Sequence, residues 1–238
     1  MIFTCKTTNL NKAIQTVQRA ISSKPSTPIF SGIHLIADNN ILEIQAMDLN
    51  MAIACSIEAE IKEKGEIVVS AKHFSELMRK LPGENVTIVK NKEEKTINVQ
   101  SDKSDFQLLL MNEDDYPKFP EFNADKQIVL EDEKIKELIK KTIFACSTDE
   151  ARPLFTGILV ELQDGKITFV GTNTHRLSIK TMEQESSEAM SMIIPSRVLS
   201  EIARNLTSEL PQEVKLSLLN NQIMVQICLL YTSDAADD

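Results

Sequence analysis

Pro28-Ile29-Phe30-Ser31-Gly32-Ile33 returns later in the chain as Pro153-Leu154-Phe155-Thr156-Gly157-Ile158, displaced by 125 positions. The same displacement carries Ala20 onto Ala145, Lys72 onto Arg197, Ser75 onto Ser200, Glu76 onto Glu201, Leu77 onto Ile202, Arg79 onto Arg204 and Leu81 onto Leu206, without a gap. It also takes Asn39-Asn40 onto Asp164-Gly165, and both dipeptides tolerate the positive φ of a tight hairpin turn. A constant displacement over so long a stretch is the mark of a duplicated fold. A chain of 238 residues is long enough to give each copy a core of ordinary size.

Each copy reads as helix, strands, second helix and further strands. Leu10, Ala13, Ile14, Val17 and Ile21 recur at helical spacing, whereas Leu42-Glu43-Ile44-Gln45-Ala46 alternates as a half-buried strand does. Ser70 is expected to cap the next helix, which buries Phe74, Leu77, Met78 and Leu81 and stops at Pro82-Gly83. Its counterpart starts near Pro195-Ser196 and buries Leu199, Ile202 and Leu206. The fold class is α+β, with antiparallel sheets backed by two helices per domain. Tyr116-Pro117-Lys118-Phe119-Pro120-Glu121 interrupts regular pairing and marks a linker. The reading therefore places a first domain at 1–119 and a second at 120–227.

Composition removes several classes of function. With 42% hydrophobic and 26% charged residues the chain is that of a soluble globular protein, without an apolar run long enough for a bilayer span. Met1-Ile2-Phe3-Thr4-Cys5-Lys6 is not a secretory signal, so a cytoplasmic location is expected. Cys5, Cys55, Cys146 and Cys228 lack zinc spacing and read as reduced thiols; no metal and no cofactor is expected. Asp48, His34, His73 and His175 are the raw material for an enzyme, but no catalytic fingerprint accompanies them. The displacement carries Asp48 onto Asn173, an amide that cannot act as a general base, so a duplicated catalytic carboxylate is excluded and the chain is read as non-catalytic.

The net charge of −9 argues against a nucleic-acid partner until its distribution is considered. At about 100° per residue, Lys72 and Arg79 lie within about 20° of each other, opposite the apolar stripe of their helix. Arg197 and Arg204 repeat the pair in the second copy, and Lys12 with Arg19 repeats it on the first helix. The helix beginning near Asp132 is mixed, since Lys136 and Lys140 share its outer face with Glu133 and Glu137. Charged outer faces are ordinary on helices, but recurrence in both copies is not. Acids crowd elsewhere, as in Glu58-Ala59-Glu60, Glu113-Asp114-Asp115 and Glu183-Gln184-Glu185, and screening over about 10 Å keeps basic and acidic surfaces distinct. There is no base-reading motif and no Trp for stacking, so DNA contact should be weak, salt-sensitive and indifferent to sequence.

Several segments together resemble the bacterial sliding clamp family, the beta subunit of replicative DNA polymerase III. They are Val68-Val69-Ser70-Ala71-Lys72-His73-Phe74, Asp115-Tyr116-Pro117-Lys118-Phe119-Pro120, Asp149-Glu150-Ala151-Arg152-Pro153-Leu154-Phe155-Thr156-Gly157-Ile158, Thr172-Asn173-Thr174-His175-Arg176-Leu177 and Ile193-Ile194-Pro195. The resemblance covers residues 1 to about 227. It implies tandem clamp domains, each with sheets outside and two helices on the inner face. Three such domains per subunit and a head-to-tail homodimer would complete a ring around double-stranded DNA, holding the polymerase in place as a processivity factor. Implied partners are the DNA polymerase III alpha subunit, the clamp loader and other proteins with a clamp-binding motif.

Carried over by position, the resemblance makes Lys24, Lys72 and Arg152 DNA contacts, alongside the helix-face residues Arg79, Arg197, Arg204, Lys12 and Arg19. Asp149, Pro153 and Leu154 are poor phosphate partners in that third segment. It also makes Phe155, Thr172, His175, Arg176 and Leu177 the second-domain wall of a pocket for partner peptides. The family more often has Asp-Gly before His-Arg, where this chain has Asn173-Thr174. Without the resemblance, His175-Arg176 reads as a surface turn with a salt-bridging Arg.

After Ile227 the alternation stops, and residues 228–238 are read as a non-native tail, with the third domain absent. The alternative reading is a two-domain protein-binding scaffold that does not encircle DNA.

Overall fold

The computed structural model of the chain describes residues 1–22, 25, 27–49, 51–91, 94–119, 126–149, 151–185, 189–206, 212–219 and 222–229. Two compact units divide it, Met1–Pro120 and Glu121–Asp238.

Unit 1 begins with strand β1 (Ile2–Lys6) and helix α1 (Thr7–Val17), whose Leu10, Ala13, Ile14 and Val17 are buried at the spacing of one helical face. Strands β2 (Gly32–Asp38), β3 (Ile41–Met47), β4 (Ala52–Glu58), β5 (Glu60–Glu63) and β6 (Gly65–Ser70) follow. Helix α2 (Ala71–Met78) leads into β7 (Asn85–Lys90), β8 (Thr96–Ser101) and β9 (Ser104–Met111). All pairs are antiparallel, in the order β4-β3-β2-β6-β9-β8-β7-β1-β5. β9 joins the two halves of this sheet, pairing with β6 through Val68↔Met111 and Val69↔Leu110 and with β8 from Ser104 to Leu109. α1 and α2 pack together over one face, around Phe3, Leu10, Ile14, Ile44 and Phe74.

Unit 2 repeats the plan with β10 (Lys126–Glu131), α3 (Asp132–Thr142), β11 (Gly157–Gln163), β12 (Lys166–Thr172), β13 (Leu177–Glu183), β14 (Met190–Pro195), α4 (Ser196–Asn205), β15 (Gln212–Leu219) and β16 (Gln222–Leu229). α3, β11, β12, β13 and β14 have the bounds of α1, β2, β3, β4 and β6 displaced by 125. Asn39 and Asn40 take φ of 48° and 60°, and Asp164 and Gly165 take 54° and 72°, so both hairpins turn through the left-handed region that their residues tolerate. Even the 3-10 turns agree: the Ser31 hydroxyl donates to the Pro28 carbonyl at 2.6 Å and the Thr156 hydroxyl to the Pro153 carbonyl at 2.8 Å. Among the described residues the strands form two sheets, β10-β15-β16 and β13-β12-β11-β14, with α3 and α4 packed over a core of Phe169, Ile135, Leu138, Leu199 and Leu206. The fold is α+β, as the sequence indicates.

Four expectations change. α2 ends at Met78, three residues before Leu81, because Arg79 closes the helix and Lys80 and Leu81 continue as a turn bonded to Leu77 and Met78. Ser70 stands at the N-cap position without a side-chain capping bond. Tyr116 is not part of an open linker; it is buried in unit 1 against Ile29, Met47 and Val68, with Phe119 partly buried beside it. Cys228 and Leu229, assigned by sequence to the tail, continue β16 and pair with Glu213 and Gln212, since backbone pairing does not require the alternation that ends at Ile227. The rest of that tail lies outside the described residues.

Candidate nucleic-acid interface and peptide pocket

On α1, Lys12 is exposed and opposite the buried face. Arg19 is not on that helix: α1 stops at Val17, and Arg19 sits half-buried in the 3-10 turn Gln18–Ala20, where it has interactions of its own. Seven-residue spacing therefore overstated its likeness to Lys12, because the tighter turn rotates it away from the α-helical register. Lys72, in the first turn of α2, and Arg79, at its C-terminal cap, are both exposed. A cation at Arg79 also complements the helix C-terminus.

On α4, Arg197 and Arg204 are both exposed, but neither is without a partner. The Arg204 guanidinium lies 2.7 Å from the Glu201 carboxylate one turn back, which neutralises much of the charge that it would offer to a phosphate. Two acids of α3 are paired as well: Lys136 on the same helix holds Asp132 at 2.8 Å, and Lys180 of β13 holds Glu137 at 2.7 Å. That hydrogen bond from Lys180 keeps the Glu137 carboxyl below the usual carboxylate range. Exposed cations therefore stand on helices of both units, Lys12, Lys72 and Arg79 in unit 1 and Lys140, Lys141 and Arg197 in unit 2. Arg152 is exposed ahead of the turn Pro153–Thr156, next to Asp149, whose carboxylate accepts from the Ala151 amide at 3.0 Å. Lys24 lies outside the described residues.

The peptide-pocket residues gather at one end of the sheet that β11 and β12 share. Thr172 and Leu177 face each other across the β12–β13 hairpin. The hairpin loop is bound from within: the Asn173 side chain accepts from the amides of His175 and Arg176 at 3.1 and 3.0 Å, and the Thr172 hydroxyl donates to the Arg176 carbonyl at 2.8 Å. These bonds leave the His175 and Arg176 side chains exposed, beside a Leu177 that is 63% exposed. Thr174 pays for this loop with φ of 76°, the left-handed region in which a β-branched residue is strained and glycine is not.

Phe155 arrives from the turn before β11. Its carbonyl accepts from the Ser147 amide at 2.8 Å, while the neighbouring Cys146 thiol donates to the Gly157 carbonyl at 3.4 Å. A Cβ on Gly171 would fall 3.4 Å from the same sulfur, so Cys146-Ser147 ties the turn carrying Phe155 to the end of β12 carrying Thr172. Burial raises the Cys146 thiol above its ordinary value, an effect partly opposed by the Arg176 charge. Two apolar neighbours of this surface, Leu154 and Ile179, are 70% and 59% exposed; the sequence places Leu154 only in the third DNA-contact segment and does not single out Ile179. The exposed position of Ile179 follows from β13 alternation, a signal that was present.

Comparison with known proteins places these features in a family. The profile described as DNA polymerase III beta subunit, N-terminal domain, matches residues 1–120, and that of the central domain matches 129–232. The beta sliding clamp of Staphylococcus epidermidis is 30% identical over 236 residues, covering 95% of this chain and 62% of that protein. The DNA polymerase sliding clamp of Bacillus subtilis superposes with a TM-score of 0.90 at 26% identity, over 95% of this chain and 62% of that structure. A sliding clamp of Bartonella birtlesii, crystallised bound to griselimycin, superposes with a TM-score of 0.88 at 26% identity, over 96% and 63%. The chain therefore spans about 62% of the length of these relatives.

Proposed function

This chain belongs to the DNA polymerase III beta subunit family, and from that premise we propose that its units are the first two domains of a sliding clamp, at 1–119 and 120–227. The clamp holds the replicative polymerase on double-stranded DNA and is not itself catalytic. The observation that carries the reading is the exposed set Lys12, Lys72 and Arg79 on the helical side of unit 1, with Arg197 as the counterpart of Lys72 in unit 2. Point charges on rigid helices neutralise phosphates without reading bases, which is what a protein moving along DNA requires. Arg204, Arg152, Arg19 and Lys24 belong to the same proposed contact set, with Arg204 weakened by Glu201. A ring that is closed topologically needs only such weak contacts.

Phe155, Thr172, His175, Arg176 and Leu177 form this chain's part of the pocket for partner peptides. The exposed Leu177 supplies an apolar seat, and Arg176 and His175 supply donors for a peptide carbonyl or carboxylate. The polymerase alpha subunit, the clamp loader and other clamp-binding-motif proteins are the proposed occupants. The whole clamp is proposed to be a homodimer acting in the cytoplasm; among the described residues no helix is long and apolar enough to cross a membrane. The scaffold alternative is not favoured, since the relatives are clamps.

The test is charge reversal of Lys72, Arg79, Arg197 and Arg204 together, read as anisotropy of a labelled duplex at low salt. Loss of association with an unchanged fold supports the reading. Association equal to that of the parent chain would contradict it.

A further inference from the structure

The seam between the first helix and its sheet is built differently in the two units. In unit 1, β4 packs Ile53, Cys55 and Ile57 against the core beneath α1. Displaced by 125, those positions are Ser178, Lys180 and Met182 of β13. Two of the three are polar, and both reach α3. The Ser178 hydroxyl donates to the Lys141 carbonyl at 2.6 Å, and the Lys180 ammonium pairs with Glu137 at 2.7 Å. A turn earlier on the helix, the Lys134 ammonium donates to the Glu183 carbonyl at 3.0 Å. Lys134, Glu137 and Lys141 are spaced three and four residues apart, so they form one stripe of α3 that is bonded to β13 from end to end.

The sharpest change falls on a single rung. Antiparallel register opposes Ala46 to Ile53 in unit 1 and Gly171 to Ser178 in unit 2. The smaller pair lets the end of the helix come down onto the sheet: a Cβ on Gly171 would lie 2.5 Å from the Thr142 carbonyl oxygen. The last carbonyls of a helix have no partner within it. That of Lys141 is satisfied by Ser178, a bond that an isoleucine side chain cannot make. The next rung is Thr172 with Leu177, two residues of the proposed peptide pocket. Alternation along β13 sends the Ser178 side chain to the helix and that of Leu177 the other way, where it is 63% exposed. Fixing one of these neighbours therefore fixes the direction of the other.

We propose that Ser178 is a positioning residue of the peptide pocket: by hanging the start of β13 on the Lys141 carbonyl at the end of α3, its hydroxyl holds Leu177 in place as the apolar seat for a partner peptide. This role rests on the pocket reading above and adds the support behind it. Ser178 itself faces the helix and acts through Leu177. Gly171 belongs to the same device, because it has no side chain to keep the Thr142 carbonyl away. The ion pair of Lys180 with Glu137 is a second tie along the same seam, but it is partly exposed and weakens with salt. The Ser178 bond joins two uncharged groups, so the seat keeps its position at salt concentrations that loosen the ion pair.

The experiment titrates acetyl-Leu-Leu, whose apolar side chains suit Leu177 and Phe155 and whose carboxylate suits Arg176, into the whole chain with labelled Leu methyl groups and backbone amides. The signals of Leu177 and Arg176 should move in the parent chain. Ser178→Ala should weaken binding about fivefold, the worth of one net hydrogen bond, and Ser178→Thr, which keeps the hydroxyl, should restore it. Thr181→Ala removes a different hydroxyl bond of the same strand, to Thr168 at 3.0 Å, and should leave binding unchanged. That control separates positioning of the seat from a general loosening of β13. Binding by Ser178→Ala equal to that of the parent chain, or an equal loss in Thr181→Ala, would overturn the proposal while leaving the pocket standing. Failure of the pocket itself has a different sign, since Leu177→Ala would then bind acetyl-Leu-Leu as the parent chain does, and the role of Ser178 would fall with it.

Discussion

Unit 1 and unit 2 place the same elements 125 residues apart, yet the two faces of their sheets have kept their residues to different degrees. The difference teaches which features a duplicated sequence preserves. Positions under the helices keep their burial in both copies, as Leu35 and Val160 or Phe74 and Leu199 do. Positions on the opposite face have diverged, from His34 and Gln45 to Leu159 and Val170. Core volume is constrained on all sides, whereas an outer face answers only to what covers it.

The strongest way to break the comparison is to empty one core and leave the other. Phe169 is fully buried in unit 2, and Phe169→Ala is expected to cost about 3–5 kcal/mol. Protection from hydrogen exchange should then fall across β11–β14 while the separate cluster around Phe3 and Phe74 keeps its protection. Equal loss in both units would mean that they do not fold as distinct cores.

A smaller contrast comes from one methyl group. Gly171 stands where unit 1 has the fully buried Ala46, and a Cβ there would lie 2.5 Å from the Thr142 carbonyl oxygen. Gly171→Ala is expected to cost about 1–3 kcal/mol in a urea melt, by forcing α3 away from β12. No change would show that this approach is looser than its geometry.

Titration should separate the units again. In unit 1, burial pushes the Cys5 thiol up to about 12, Cys55 up to about 11 and the Tyr116 phenol up to about 12. The folded state holds these protons more tightly than the unfolded state, so the stability they give is complete below the ordinary thiol value of 9.0 and is lost as pH rises towards 12. In unit 2 Cys146 is raised too, with the Arg176 charge opposing the shift. Exchange measured between neutral pH and 10 should therefore weaken unit 1 more than unit 2; Cys5→Ala and Cys55→Ala together should reduce that gap.

The mildest effect is expected at Thr174. Replacing it with glycine relieves φ of 76° and should stabilise unit 2 by about 1 kcal/mol, less the greater freedom of glycine in the unfolded chain. A destabilised variant would mean that the Thr174 side chain holds the loop in a way that its strain conceals.

Much of this was legible in the residues. The constant displacement located both hairpins and all four helices, because side-chain periodicity and turn chemistry act locally. Partnering was less legible. Helical spacing placed Arg204 on an outer face but did not show that Glu201 holds it at 2.7 Å, and it extended α1 to Arg19, past the point where the helix tightens into a 3-10 turn. Phe155 and Thr172 share an end of the sheet through Cys146 and Ser147, a link between segments far apart in sequence that no local pattern encodes. The rung that sets Gly171 opposite Ser178 likewise required strand register.

The central claim, that exposed helix charges contact duplex DNA without reading it, is tested most directly by titrating the chain against two duplexes of equal length and unrelated sequence at several salt concentrations. The account predicts weak association whose logarithm falls linearly with the logarithm of salt, along one line for both duplexes. A preference for one duplex, or an affinity insensitive to salt, would contradict it.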